Sequence, residues 1–479
     1  MAVDHFVRLE KVEIHHFKNV KYGMLDMSKS ASDDQASITG LFGQNGSGKT
    51  ALLEAIELLR YVLSGQVIPQ KFTDYVQVDF PQAEFVFCFK VCFPHGTYGA
   101  EYRFKLAKVM SAMESNADIA MSVSQYQATI TDEILRFRYA SDDVQVRMTT
   151  LMDTTESRIP FSPEIKYDVL VGKHDDGQRI AVIKAMVLAM GRSFIFSADL
   201  LAVIRKNCTK RLYTDLLEAL VQYGNFELFV INTSNTGVIS MNGLPFAFHL
   251  VEKEARIRAV GQFLVPINGP AVILQEQFIL LQKIIGSMNL VLDTLVPGLQ
   301  IAVKDLGQSL LGKTSVVGER IELVSCKNSK EIPLKYESEG IKKIISILQL
   351  FIEIYNKPSV TVVVDELDAG IFEYLLGEML SILFERGKGQ LIFTSHNLRP
   401  LETLPVKCIA FTTTNPSERY VRINNLKKTN NLRSSYYRNI ILGNDTYSFY
   451  DETDNYKIAL AFRKAGVEQR QATEVISHE

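Results

Sequence analysis

The segment Gly43-Gln44-Asn45-Gly46-Ser47-Gly48-Lys49-Thr50 fits the pattern G-x-x-x-x-G-K-[ST] at every fixed position. Such a loop works only between a buried strand and a helix that starts at its end. The flanking residues supply both: Ser37 to Phe42 is a short apolar run, and Ala51 to Leu63 repeats Leu, Ile and Val at helical spacing. Glycines let backbone N–H groups approach an anion, and the helix start adds its dipole. The N–H groups of Asn45, Gly46, Ser47 and Gly48 are therefore expected to cradle phosphate, with Lys49 neutralising the β- and γ-phosphates and the Thr50 hydroxyl ligating Mg²⁺. These demands impose an α/β fold with a buried parallel sheet.

A phosphate loop of this kind needs a carboxylate at the end of a neighbouring strand. Thr361-Val362-Val363-Val364-Asp365-Glu366 provides one after a β-branched run. Asp365 is expected to hold Mg²⁺ through water, and Glu366 to orient or deprotonate the attacking water. A second apolar run, Leu391-Ile392-Phe393, leads into Thr394-Ser395-His396-Asn397. Its carboxyl end should lie beside the first, where ligands collect in open α/β sheets, so that His396 can contact the γ-phosphate. Between the two halves, Tyr336-Glu337-Ser338-Glu339-Gly340-Ile341-Lys342-Lys343 opens a long amphipathic helix reaching Tyr355. Ser338 can cap it and Gly340 permits close backbone approach, which makes a second anion site.

Elsewhere the pattern is less specific. Val7 to Leu25 alternates apolar and polar residues around Lys18-Asn19, which predicts two strands and a turn, and Phe85 to Phe93 with Gly99 to Leu106 predicts a hairpin. Residues from about Ile180 to Leu292 read largely as helices, with weaker strand signals from Phe229 to Met241. The expected organisation is an N-terminal lobe with the phosphate loop over 1–180, a compact, mainly helical insertion over 181–293, and a C-terminal lobe over 294–479.

Composition narrows the surroundings. Of 479 residues, 47% are hydrophobic and 22% charged, the balance of a folded globular chain. A net charge of -2 gives no bulk attraction to nucleic acid. The five cysteines form no C-x-x-C pair, so neither a zinc knuckle nor a disulfide framework is suggested. Met1 to Lys11 lacks the pattern of a secretory signal, and Ala271 to Leu292 is interrupted by Gln275, Glu276, Gln282 and Lys283, so no membrane span is expected. A cytoplasmic protein follows as the expectation.

Taken in order, Ile14-His15-His16-Phe17-Lys18-Asn19, the phosphate loop, Ser338-Glu339-Gly340, Asp365-Glu366, Leu367-Asp368 and His396 resemble the SMC, RecF and OLD branch of the ABC ATPases. The resemblance implies a P-loop ABC-type ATPase head that uses ATP and Mg²⁺. It also implies a homo-oligomer in which Ser338 and Gly340 close over nucleotide held by another subunit. It assigns Lys18 a contact with nucleotide and makes Asp368 the D-loop aspartate that couples the two sites. Ser338-Glu339-Gly340 departs from the common S-G-G, and no Q-loop glutamine is identified among Gln66, Gln70, Gln77 and Gln82.

The closing stretch, Asn430-Asn431-Leu432-Arg433, Tyr436-Tyr437-Arg438, Leu442-Gly443 and Phe462-Arg463-Lys464-Ala465-Gly466, is similar to that of ATPases from bacterial anti-phage defence operons. These are the AriA ATPases of PARIS and, more distantly, the PtuA ATPases of Septu. That likeness implies a sensor ATPase controlling a separate effector such as a Toprim-type nuclease, with a phage protein as trigger. No nuclease is expected in this chain, because Asp445, Asp451, Glu452 and Asp454 are scattered in a polar segment instead of ending apolar strands. A RecF- or SMC-like role in DNA repair or maintenance is the alternative, and binding of nucleic acid stays open.

Overall fold

The computed structural model describes residues 5–28, 35–110, 126–156, 159–172, 177–231, 243–252, 257–267, 269–310, 316–327, 330–422, 432–434, 436, 447–450 and 454–476. Alternating apolar residues open the chain as β1 (Phe6–Phe17) and β2 (Val20–Asp26), joined by the expected turn at Lys18 and Asn19. Next come β3 (Ser37–Phe42) and α1 (Lys49–Leu63), so the glycine loop has its strand and its helix. The predicted hairpin is β4 (Gln82–Phe93) with β5 (Gly96–Met110), and β6 (Tyr126–Ala140) and β7 (Gln145–Asp153) continue it. Together these form an antiparallel sheet of order β2-β1-β4-β5-β6-β7.

After β7 run α2 (Glu164–Leu170), α3 (Gln178–Ala189), α4 (Ala198–Asn207) and α5 (Arg211–Gln222), and then β8 (Leu228–Ile231). The hairpin β9 (Gly243–Glu252) and β10 (Ile257–Pro266) follows, then β11 (Ala271–Ile273) and α6 (Gln275–Leu295). A small antiparallel sheet joins β11 to β12 (Leu299–Leu310), β13 (Val317–Lys327) and β14 (Lys330–Pro333). The last part supplies α7 (Glu339–Asn356), β15 (Thr361–Val364), α8 (Glu373–Arg386), β16 (Gln390–Thr394) and α9 (Pro400–Thr403). It ends with β17 (Ile409–Thr412), β18 (Tyr420–Val421) and α10 (Asn455–Ile476).

The central sheet has the order β18-β17-β3-β16-β15-β8, and every pair except β17 with β18 is parallel. All residues of β3, β15 and β16 are buried, as a parallel sheet covered on both faces requires. Side chains alternate between two cores. Leu41, Val363 and Ile392 pack with α1 and the antiparallel sheet, whereas Phe42, Val362, Val364, Leu391 and Phe393 pack with α6, α7 and α8. Helix α1 touches both β1 and the central strands β8, β15 and β16. That two-sided packing explains why nearly all its residues are buried. Gln390 on β16 bolts the layers together, its amide exchanging hydrogen bonds with the backbone of Leu9 at 3.1 and 2.8 Å.

The expected mainly helical insertion over 181–293 is corrected. Helices α3, α4, α5 and α6 are present, but so are β8, β9, β10 and β11. Nor are these residues a body apart: β8 is the edge strand of the central sheet, and Leu200, Ile204, Leu216 and Leu220 share one core with β1 and α1. Local helical spacing does not reveal that a four-residue strand will pair with β15, which lies far along the chain.

Helix α6 is long and apolar enough to cross a membrane by length and composition. Here Leu281, Ile284, Ile285, Met288 and Leu292 are instead buried with residues of α7 and β12. In the closing stretch Leu432 and Tyr436 are buried, and Tyr436 stacks on Phe411 of β17 with ring centroids 4.8 Å apart. Asn430, Asn431, Tyr437, Arg438, Leu442 and Gly443, and the carboxylates Asp445, Asp451 and Glu452, lie outside the described residues.

Candidate active site

The loop from Gly43 to Gly48 turns from β3 into α1. Gly48 has φ +96°, a left-handed conformation that a residue with a Cβ adopts only at a cost, and it forms the N-cap of α1. Asn45 and Gly46 are exposed while Ser47, Gly48 and Lys49 are buried, and Thr50 is half-buried in the first turn. Lys49 folds over its own loop, its ammonium donating to Gly43 O at 2.7 Å and Gln44 O at 3.0 Å. Ser47 Oγ lies 2.5 Å from Thr412 Oγ1 on β17.

Beside this loop ends β15. Its register with β16 pairs Val364 with Phe393, which brings Asp365 next to Thr394. Asp365 is 1% exposed. Its Oδ1 accepts from Thr394 Oγ1 at 2.5 Å, and its Oδ2 is buried with no hydrogen-bond partner. A buried carboxylate oxygen left bare is costly unless something positive comes to it. Glu366 is half-buried with φ +49°, an uncommon conformation for a residue with a side chain. Its N–H donates to Thr394 Oγ1 at 2.8 Å, so one hydroxyl fixes both acids.

Asp368 accepts from the N–H groups of His396, at 3.2 Å, and Asn397, at 2.9 Å, and so shapes the loop after β16. His396 itself is exposed. Electrostatics tie these acids to the phosphate loop. Burial pushes the Lys49 ammonium below its ordinary pKa, and Asp365, Glu366 and Asp368 act against that fall. The structure therefore gathers Lys49, Asp365, Glu366 and Asp368 at the carboxyl ends of β3 and β15.

Ser338 caps α7, accepting from the Ile341 N–H at 3.3 Å, and its side chain is exposed. Gly340 presses on Gly370, just beyond Asp368. A side chain on Gly340 would collide with the Gly370 carbonyl, which explains why glycine stands there. The signature segment thus rests on the D-loop of its own chain and presents Ser338 to solvent.

Lys18 sits in the turn between β1 and β2 with φ +52°. Its ammonium pairs with Glu54 of α1 and lies 4.3 Å from the centre of the Tyr75 ring. The neighbouring residue makes the direct loop contact: the Asn19 amide donates to Gly46 O. Arg419 holds that turn from the far end of the chain, donating to Asn19 O through Nε at 3.0 Å and Nη2 at 2.7 Å. Tyr420 adds a hydrogen bond to Gly48 O at 2.9 Å. Sequence reading did not select Asn19, Thr394, Thr412, Arg419 or Tyr420. Each lies next to a motif residue in sequence or in sheet register, and only the register identifies the last four.

Magnesium fits this donor set. The hydroxyl of Thr50 and the bare Asp365 Oδ2 would supply protein oxygens, with phosphate and water completing the shell. Among the described residues no group of three or more His, Cys, Asp or Glu is placed to hold a metal by itself. A cation held partly by phosphate needs no such group.

No protein-family model matches the chain, and no curated protein matches it. Among solved structures, an SMC head bound to the C-winged helix domain of ScpA is similar at 14% identity and a TM-score of 0.41, covering 87% of this chain and 98% of that one. The SMC head domain from Thermotoga maritima is similar at 13% identity and a TM-score of 0.35, covering 87% of this chain and 100% of that one. An Smc head with an extended coiled coil, bound to the C-terminal domain of ScpA derived from Pyrococcus furiosus, matches at 13% identity and a TM-score of 0.34, over 88% and 97% of the two chains.

Proposed function

We propose that this chain is an ABC-type ATPase of the SMC-like branch, binding ATP with Mg²⁺ at Gly43–Thr50 and hydrolysing it when two copies pair. The observation that carries this reading is the buried, unpartnered Oδ2 of Asp365 beside Lys49, followed at once by a half-buried carboxylate in a forced backbone conformation. Mg²⁺, when bound, supplies a charge that bridges the β- and γ-phosphates. The chain's own residues do the rest. Lys49 leaves the carbonyls of Gly43 and Gln44 to meet phosphate, Asp365 holds the cation's water, and Glu366 takes the proton of the attacking water. Ser338 and Gly340 of a second copy close the site, and His396 meets the γ-phosphate. The purified chain should hydrolyse ATP only with a divalent cation, and Glu366→Gln should bind ATP without turning it over. Equal turnover by wild type and Glu366→Gln would sink the assignment.

The use of that cycle follows from the resemblance of the closing stretch. A sensor ATPase that holds or releases a toxic effector in anti-phage defence needs two states of one surface, and nucleotide-driven pairing supplies them. Purification from the native operon should bring down a second polypeptide whose release changes in Glu366→Gln. A lone homo-oligomer whose ATPase is stimulated by DNA alone would replace this reading with a repair role.

A further inference from the structure

Two lysines, one from each half of the chain, act on the same three carboxylates. The first is Lys49. The second is Lys343, on the second turn of α7 and only 3% exposed. Burial lowers the pKa of its ammonium, and Glu366, Asp365 and Asp368 oppose the fall. Its neighbour Lys342 is satisfied locally, donating to Glu339 at 3.0 Å. A buried ammonium on an otherwise apolar helix face is expensive to keep, since Ile344, Ile345, Ile347 and Leu348 are all buried around it. A packing role alone would be served by another aliphatic residue.

The mounting of α7 gives this lysine a lever. Gly340 lies against Gly370 so closely that neither has room for a side chain, and Asp368 is pinned to the loop of His396 and Asn397. Ser338, at the exposed tip of the same helix, is one turn away from Lys343. A change at the tip is therefore carried rigidly to the acids.

We propose that Lys343 is a positioning residue for hydrolysis, holding the carboxylates of Asp365, Glu366 and Asp368 from the signature helix and so linking engagement of Ser338 by a second copy's nucleotide to the base. This rests on the reading of the site as an ATP-hydrolysing one. Lys343→Met keeps length and apolar fit but removes the charge. ATP affinity should stay within about 3-fold of wild type while kcat falls by about 30-fold, the pattern of a lost effect on the chemical step. Lys343→Arg should recover part of kcat.

A second readout separates this role from a structural one. With one positive charge fewer beside three acids, nucleotide-free Lys343→Met should bind Mn²⁺ about 10-fold more tightly than wild type. Lys343→Gln removes the same charge and takes over if the Met variant is insoluble. Normal kcat with unchanged Mn²⁺ affinity in a folded variant overturns the proposal and leaves the ATPase reading standing. A wild-type chain that binds ATP without hydrolysing it overturns the ATPase reading, and the Mn²⁺ measurement still decides whether Lys343 acts on the carboxylates.

Discussion

Thr394 donates its hydroxyl hydrogen to Asp365 Oδ1 at 2.5 Å, joining the carboxyl ends of two parallel strands by a side-chain bond. The same oxygen receives the Glu366 N–H. Thr394→Val keeps the shape and strips both bonds. Stability should fall by about 1–3 kcal/mol, the cost of leaving buried partners unpaired, and the Mg²⁺ concentration for half-maximal hydrolysis should rise about 10-fold. Denaturant titration and a metal-dependence curve check the two effects.

Lys49→Ala should weaken ATP binding by about 100-fold, since a charge-assisted contact to phosphate is lost. Calorimetry reads it directly. Undiminished affinity would remove the loop from the binding site.

Glu366→Gln should leave ATP and cation bound and slow turnover by about 100-fold or more, the usual contribution of a positioned base. Unhydrolysed ATP should then accumulate on the protein, which chromatography of the extracted nucleotide detects. Rapid turnover would hand the base role to another residue.

The backbone at Glu366 makes a separate prediction. With φ +49°, a Cβ is disfavoured there, so Glu366→Gly should be more stable than Glu366→Ala by about 1 kcal/mol, reversing the usual order of the two residues. Thermal unfolding of the pair gives the sign. An alanine variant as stable as the glycine variant would contradict the strain.

Pairing makes the last one. A Ser338→Arg protein and a Lys49→Ala protein, each inactive alone, should regain part of the wild-type rate when co-assembled, because one intact composite site forms. Confirmed mixed assemblies that stay silent would place the whole site within one chain.

What was legible from sequence is what is local. Ser37 to Phe42, the β-branched run before Asp365 and the Ser338 cap each announce themselves within a few residues, and all three stand where expected. What escaped depends on partners far along the chain. Thr394 matters because β16 lies in register with β15, and Arg419 matters because its guanidinium reaches the Asn19 turn. The short β8 was lost among helices for the same reason: four apolar residues carry no period of their own. Lys18 shows the opposite error. Its place in the turn is as expected, but its ammonium is engaged by Glu54, and it is Asn19 that reaches the loop.

The strand that carries the phosphate loop has no neighbour made near it in time. β3 lies between β16 and β17, both from the end of the chain, and β18 follows immediately. On the ribosome the loop emerges early and waits for almost all of the remaining translation before its flanking strands exist. Closing so long a loop makes assembly of the central sheet a late and slow event. A chain cut short before Ile409 leaves β3 open along one edge, an invitation to pair with the wrong strand. Nucleotide-binding capacity thus becomes a certificate of completed synthesis: no prematurely terminated product can bind ATP as the full chain does.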